Sequence, residues 1–167
     1  FNRLVEPEAL GEEARALAGE LSAQNARRQE EEQQTLAEAE EMVAGEVDLS
    51  REKVIVLASE RWHPGVIGIC ASKLVDQYLR PAVLIACDDT QGIGRGSARS
   101  PASFHLYEGL KECAHLLEGY GGHRSAAGLT IKADRIEAFS ALFDRVVCGK
   151  VSEDVSAPTI EIDAEVS

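Results

Sequence analysis

Two apolar runs, Val54-Ile55-Val56-Leu57-Ala58 and Ala82-Val83-Leu84-Ile85-Ala86, bracket a segment of helical spacing from Val66 to Tyr78. Each run is continuous rather than alternating, which is the pattern of a strand covered on both faces. Pro64 suits the first turn of the intervening helix, and Pro81 stops it. Strand, helix and strand of these lengths make a βαβ unit with parallel strands and a right-handed crossover. The fold class is therefore α/β.

Working downstream, the turn cluster Asp88-Asp89-Thr90-Gln91-Gly92 leads into a third strand from Ile93 to Arg99. Helices are expected over His105–Leu117, ended by Gly119, and over Asp134–Val147, capped by Asp134 and ended by Gly149. Ala127 to Ile131 between them reads as a fourth strand. Upstream, Glu12 to Val43 contains no Pro and a single Gly, and predicts one long helix or two joined near Asn25. Leu10, Leu17, Leu21, Leu36 and Val43 form a narrow apolar stripe, while residues 27–34 are polar all round. A helix of ~30 residues spans about 45 Å, a length suited to a strut between domains, with a coiled-coil arm as the alternative. At the other end Thr159 to Val166 alternates apolar and polar, as a strand with one wet face opening a different domain would. The divisions are thus 1–48, a helical linker; 49–150, the α/β domain; and 151–167, the start of another.

The 167 residues, 44% hydrophobic and 28% charged, fit one globular domain with appendages. No apolar run approaches the ~20 residues that cross a bilayer, and Phe1-Asn2-Arg3-Leu4 is neither an initiator nor a signal sequence. The ends read as cut from a longer chain. The net charge of −12 is unevenly spread: residues 1–48 carry 4 basic and 13 acidic side chains, 151–167 carry 0 and 5, and 49–150 carry 13 and 11. A polyanionic ligand of the middle segment is not excluded, but its recognition must be local. Cys70, Cys87, Cys113 and Cys148 include no C-x-x-C pair, so reduced, mostly buried thiols of a cytosolic protein are expected.

Three segments stand out chemically. In Gly92-Ile93-Gly94-Arg95-Gly96-Ser97-Ala98-Arg99-Ser100, glycines clear one face of the strand while Arg95, Ser97 and Arg99 share the other, offering donors for phosphate oxygens. In Tyr120-Gly121-Gly122-His123-Arg124, a glycine turn would let backbone approach a ligand beside His123 and Arg124; a helix cap at Gly119 explains the same glycines without one. Glu60-Arg61-Trp62-His63-Pro64-Gly65 lies where a parallel strand meets a helix N-terminus, a favoured ligand position; alternatively Trp62 packs and His63 caps. His105 and His115 read as structural, and Asp88-Asp89 as a solvated turn. No H-x-H, D-H-H, H-E-x-x-H or Walker A string occurs, so no metal site is expected on this segment.

Taken together, Trp62-His63-Pro64-Gly65-Val66-Ile67-Gly68-Ile69-Cys70-Ala71-Ser72-Lys73, Gly96-Ser97-Ala98-Arg99-Ser100 and Tyr120-Gly121-Gly122-His123-Arg124-Ser125-Ala126-Ala127-Gly128 resemble the second domain of the RecJ family of single-strand-specific DNA exonucleases. That domain is called DHHA1. Leu21 to Arg28 resembles the start of the family's interdomain helix, and Ala157 to Asp163 the entry to its OB-fold domain. Gly-Gly-His is shared with other DHH-type phosphoesterases and some tRNA-editing proteins; the Trp-His-Pro-Gly segment favours RecJ. The resemblance implies a DHHA1-type mixed sheet with flanking helices, preceded by a long interdomain helix and followed by the first strand of an OB fold. It also implies catalytic Mn2+ or Mg2+ on a preceding DHH domain, whose motif does not occur in these residues. Ser97 and Arg99 would hold a 5′-phosphate, Gly121, Gly122 and His123 would face the scissile phosphate with His123 as the catalytic group, and His63 and Arg95 would bind substrate. The implied partners are single-stranded DNA with a 5′-phosphate and the DHH and OB domains of the same chain, in a cytoplasmic bacterial enzyme of DNA repair and recombination. A phosphoesterase of oligonucleotides or cyclic dinucleotides, and a non-enzymatic module docking a partner through its acidic helix, are the alternatives.

Overall fold

The computed structural model describes residues 7–150, with side chains from residue 14 onward. The expected strand at 159–166 and the OB-fold entry lie outside the described residues. The chain opens with α1 (Pro7–Glu46), one unbroken helix of 40 residues, with no joint at Asn25. At 1.5 Å per residue it is about 60 Å long. Its two ends differ. Residues 14–31 are exposed throughout, whereas Thr35, Ala39 and Val43, spaced at one helical turn, are buried against the domain. Lys73 pairs with Glu32 at 2.6 Å and Arg61 with Glu38 at 2.6 Å, fastening the docked half.

The domain follows as β1 (Ile55–Ser59), α2 (Ile67–Tyr78), β2 (Ala82–Asp88), β3 (Ile93–Arg99), α3 (Leu106–Glu112), a 3-10 turn at Ala114–Leu116, β4 (Leu117–Gly122), β5 (Ala126–Lys132) and α4 (Ile136–Lys150). Five strands form one mixed sheet in the order β1-β2-β3-β5-β4, with β1 and β2 parallel and the other pairs antiparallel. The continuous apolar runs are β1 and β2, and they are covered on both faces as their composition demands. Ile55, Leu57 and Leu84 face α1 and α2 in one core, while Val54, Val83 and Ile85 face α3 and α4 in a second. Phe139 and Phe143 stack at 5.4 Å in that second core, and Phe104 meets Phe143 edge-on at 6.0 Å.

Two expectations are corrected. The helix over 105–117 stops at Glu112; Leu117 to Gly122 is instead strand β4, hairpinned to β5. Half of β4 is glycine, which carries no strand propensity, so its conformation comes from pairing with β5 rather than from its own residues. His105 does cap α3, its Nδ1 accepting from Glu108 N–H at 3.4 Å. Asp134 caps nothing: it lies within the 3-10 turn Ala133–Arg135, α4 begins at Ile136, and the helix runs past Gly149 to Lys150. Of the four free cysteines only Cys70 and Cys113 are buried, and burial pushes both thiols up to about 11; Cys148 is exposed.

The two cores make a stability prediction. Phe143→Ala should lower unfolding free energy by about 3–5 kcal/mol in denaturant titrations. Leu17→Ala, on the projecting half of α1 where the side chain is 56% exposed, should change it by no more than about 0.5 kcal/mol. Equal effects would show that the projecting half is packed.

Candidate functional site

Register decides which face each residue of β3 serves. Residues directly opposite one another share a face, so the rows Ala86–Arg95–Thr130–Gly119 and Leu84–Ser97–Gly128–Gly121 run across the sheet on the α2 side. Arg99 lies opposite Ala126 in the next row. Beyond β4, His123 N–H donates to Ala126 O at 2.8 Å, so His123 holds the position across from Ala126 in the row of Arg99. The two backbones are two strand spacings apart, about 10 Å. Arg95, Ser97, Arg99, Gly121 and His123 are thereby gathered on one region of the sheet. Gly122 occupies the adjoining position, with φ +153, and a Cβ there would run into the backbone of Ala126 and Ala127.

Arg99 and Ser97 are held as a unit. Arg99 Nη1 donates to Ser97 Oγ at 3.0 Å and to Ala98 O at 2.8 Å. Ser97 thus accepts from the guanidinium and keeps its own O–H free to donate outward. Above them sits the first turn of α2. A Cβ built on Gly68 would lie 2.9 Å from Arg99 Nη2 and 3.0 Å from Ser97 Oγ, so any side chain at 68 would push the guanidinium and the hydroxyl from these positions. The helix N-terminus adds its positive end to the same spot. Among the described residues no carboxylate lies within ion-pairing distance of Arg99 or Arg95, although the chain carries net charge −12 and Arg61, Lys73, Lys111, Lys132 and Lys150 are all paired. Arg80 is also half-buried without a counter-ion, but it donates to Tyr78, Leu49 and Glu52 carbonyls, whereas Arg99 has Nη2 beside the start of α2 and suited to an anion.

The remaining candidates fall differently. His63 is exposed; its Nδ1 accepts from Gly65 N–H at 3.0 Å and fixes the turn before α2, and it lines a depression shared with Glu31 and Glu38 of α1 and Arg61 of its own loop. Trp62 is buried at 4% exposure in the α1–α2 core, and its indole N–H has no acceptor among the described residues. Arg124 Nη2 donates to Ala102 O at 3.0 Å, tying the β4–β5 turn to the loop before α3. The glycine-cleared face of β3 is not an edge and not a binding surface. β3 is the central strand, and Cβ atoms at Gly94 and Gly96 would meet Ile85 and Leu129, so these glycines are emptied for core packing. Nor is Gly121-Gly122 a turn; both residues belong to β4 and the turn follows at 123–125.

A cavity of about 990 Å³ opens beside the Ser97 row. Its lining includes Arg95, Gly119, Gly128 and Thr130 on the sheet, and Glu60, Asp88 and Asp89 on one rim. Asp88 forms the turn foreseen for it: its carboxylate accepts from Thr90 Oγ1 and from Thr90 and Gln91 N–H, which holds its pKa below the usual value. Glu60 faces Asp89, and a carboxyl group sharing hydrogen bond and charge with another is pushed above its ordinary 4.5. Gly68 and the Glu60–Asp89 pair were the elements that sequence reading missed. The second glycine of Gly65-Val66-Ile67-Gly68, at the start of a helix, was the available signal.

Residues 51–148 match the model of the DHHA1 domain, and the chain belongs to the DHHA1 domain family. It is 40% identical over 151 residues, 90% of its length, to the single-stranded-DNA-specific exonuclease RecJ of Bacillus subtilis, of which it covers 19%. It is 40% identical over 129 residues to RecJ of Thermus thermophilus, covering 77% of this chain and 18% of that protein. The crystal structure of Thermus thermophilus RecJ in complex with Mg2+ superposes with a TM-score of 0.70 at 36% identity, over 87% of this chain and 21% of that one. A structure of exonuclease RecJ bound to manganese gives 0.70 at 38% identity, over 81% and 32%. The chain thus spans about a fifth of the length of the curated relatives it matches. The mixed sheet with flanking helices is the arrangement of these structures.

Because the folded protein raises the pKa of Glu60, proton uptake at this carboxyl favours folding. That contribution is present below the ordinary value of 4.5 and is lost as pH rises through the raised one. Glu60→Gln should therefore raise the thermal unfolding temperature at pH 7, with the gain vanishing when both proteins are compared near pH 4. A gain of equal size at both pH values would mean that charge repulsion with Asp89 is not the cause.

Proposed function

We propose that this chain is the phosphate-gripping part of a metal-dependent 5′→3′ single-stranded-DNA exonuclease of the RecJ kind, acting in the bacterial cytoplasm in DNA repair and recombination. The observation that carries it is the unpaired Arg99 guanidinium locked to Ser97 beneath the first turn of α2. The relatives named as RecJ exonucleases supply the reaction class. No helix among the described residues is long and apolar enough to cross a membrane. Residues 1–48 serve as the interdomain linker, 49–150 as the DHHA1 domain and 151–167 as the entry to an OB fold.

In this reading Arg99 and the Ser97 hydroxyl hold the 5′-terminal phosphate, with α2's positive end above it. Arg95, about 7 Å along β3 from Ser97 and about 13 Å from Arg99 on the same face, contacts the next part of the strand. Gly121 and Gly122 bring bare backbone up to the substrate, and His123 stabilises charge developing on the scissile phosphate as a positioned donor. His63, fixed by its bond to Gly65, contributes from the α2 turn. Among the described residues no three His, Cys, Asp or Glu side chains come together as metal ligands, so no step is assigned to a metal on this segment. Mn2+ or Mg2+, present in the similar RecJ structures, would act from the preceding DHH domain across the cleft.

Charge-assisted hydrogen bonds contribute about 1.5–3 kcal/mol each, so Arg99→Ala in the intact protein should weaken capture of a 5′-phosphorylated single strand by about tenfold to a hundredfold. It should leave the weaker cleavage of a 5′-hydroxyl strand nearly unchanged. The comparison is of kcat/KM on the two substrates. A loss of equal size on both would remove Arg99 from the phosphate site, and metal-dependent cleavage by residues 1–167 alone would remove the half-site account altogether.

A further inference from the structure

Glycine in the interior of a strand costs about 0.5–1 kcal/mol relative to alanine, so each one calls for a reason. Gly94 and Gly96 have theirs in packing, since added Cβ atoms would meet Ile85 and Leu129. Gly122 has its reason in φ and in the backbone of Ala126 and Ala127. Gly119 sits where the β4–β5 register shifts between Leu117 and Gly119, an irregularity that glycine suits; Gly121 and Gly128 have no such reason among the described residues. Their φ values are not positive, nothing lies within 4 Å of a Cβ at 119 or 121, and at 128 only Gly96 O, at 3.9 Å, does. All three are exposed and fall in two adjacent rows on the α2 side of the sheet, where β4 and β5 extend beyond the cover of α2. They leave a flat floor of bare backbone. Ser97 directly adjoins it, opposite Gly128, and the 990 Å³ cavity stands over Gly119 and Gly128.

Charge orients whatever occupies this cleft. One end adjoins Ser97, with Arg99 locked to it, across from Gly128; the other is rimmed by Glu60, Asp88 and Asp89, and Arg95 lines the cavity between them. A phosphate is drawn to the first end and repelled from the second. An uncharged, planar group with amino or imino hydrogens is favoured over the floor, where carboxylates at the rim accept its hydrogen bonds and Gly121 and Gly128 present no side chain to its face, with Thr130 and Arg95 flanking it in the row of Gly119. We infer that the glycine floor of Gly119, Gly121 and Gly128 seats the base of the 5′-terminal nucleotide flat against the sheet, while its phosphate lies at Ser97 and Arg99. Gly128, at the centre, is the residue that determines whether a base fits. The inference rests on the exonuclease reading and adds to it a requirement for the terminal base itself.

The test uses the intact protein and three 5′-phosphorylated single strands that differ only at the first nucleotide: dC, dT, or an abasic residue. With the wild-type protein, KM for the abasic strand should exceed that for dC by about tenfold, with dT, which carries no amino group, between them. Gly128→Val fills the floor, and its Cβ would meet only Gly96 O, at 3.9 Å, among the described residues. It should raise KM for dC and dT by tenfold or more and leave the abasic strand within twofold, so that the discrimination disappears. Equal KM values for all three strands with the wild-type protein would overturn the base seat. A Gly128→Val loss that is the same on the abasic strand would show that the floor packs against another part of the chain instead. Failure of the exonuclease reading shows separately, as no cleavage of any strand or as no dependence on the 5′-phosphate. The base seat fails alone if phosphate dependence persists while base dependence is absent.

Discussion

The close approach of α2 to β3 is the contact on which the candidate site depends. Gly68 removes a side chain from the first turn of the helix, and the space so released is filled by the Arg99 guanidinium and the Ser97 hydroxyl. Held between a helix start and a strand, Arg99 spends two of its hydrogen bonds on Ser97 and Ala98 and has no carboxylate beside it among the described residues. Its position costs little further entropy when an anion arrives, because the surrounding structure has already immobilised it. What sets Arg99 apart from the other arginines without an ion pair is its anchorage to Ser97 and Ala98 O beside the first turn of α2.

The sheet divides its labour by face. On the α3–α4 side glycines and alanine at 94, 96 and 98 admit the bulky Ile85 and Leu129, and the face is closed by three phenylalanines. On the α2 side, cover ends at β3, and the outer strands present backbone to the cleft. One residue type therefore performs opposite tasks in a single sheet, making room for core side chains on one face and keeping them away from an open surface on the other. The long helix stands apart from this arrangement: only its last turns pack, through Thr35, Ala39 and Val43, and its remainder projects.

Much of this was legible in the residues. The continuous β-branched runs marked β1 and β2 because burial on both faces admits no alternation, and Pro81 marked the end of α2; Pro64, expected in its first turn, instead lies in the turn before the Val66 N-cap. Alternation along Ile93 to Arg99 placed Arg95, Ser97 and Arg99 on a common face, which the register of β3 with its neighbours shows. Strand β4 was not legible. Its Leu-Glu-Gly-Tyr-Gly-Gly has neither periodicity nor propensity, and its hydrogen-bonding partner β5 lies later in the chain. The same cause hid the row that joins Arg99 to His123, since only the hairpin register connects them. The meaning of the glycines in β3 was likewise invisible, because the side chains that fill their space, Ile85 and Leu129, come from neighbouring strands.

A crystal structure of the intact protein with a short 5′-phosphorylated single strand is the most direct test of the anion cradle. The terminal phosphorus should lie where Arg99 Nη2 and Ser97 Oγ both reach its oxygens at hydrogen-bonding distance, below the first turn of α2. A terminal phosphate bound elsewhere, with Arg99 paired to a carboxylate from another part of the chain, would contradict the assignment.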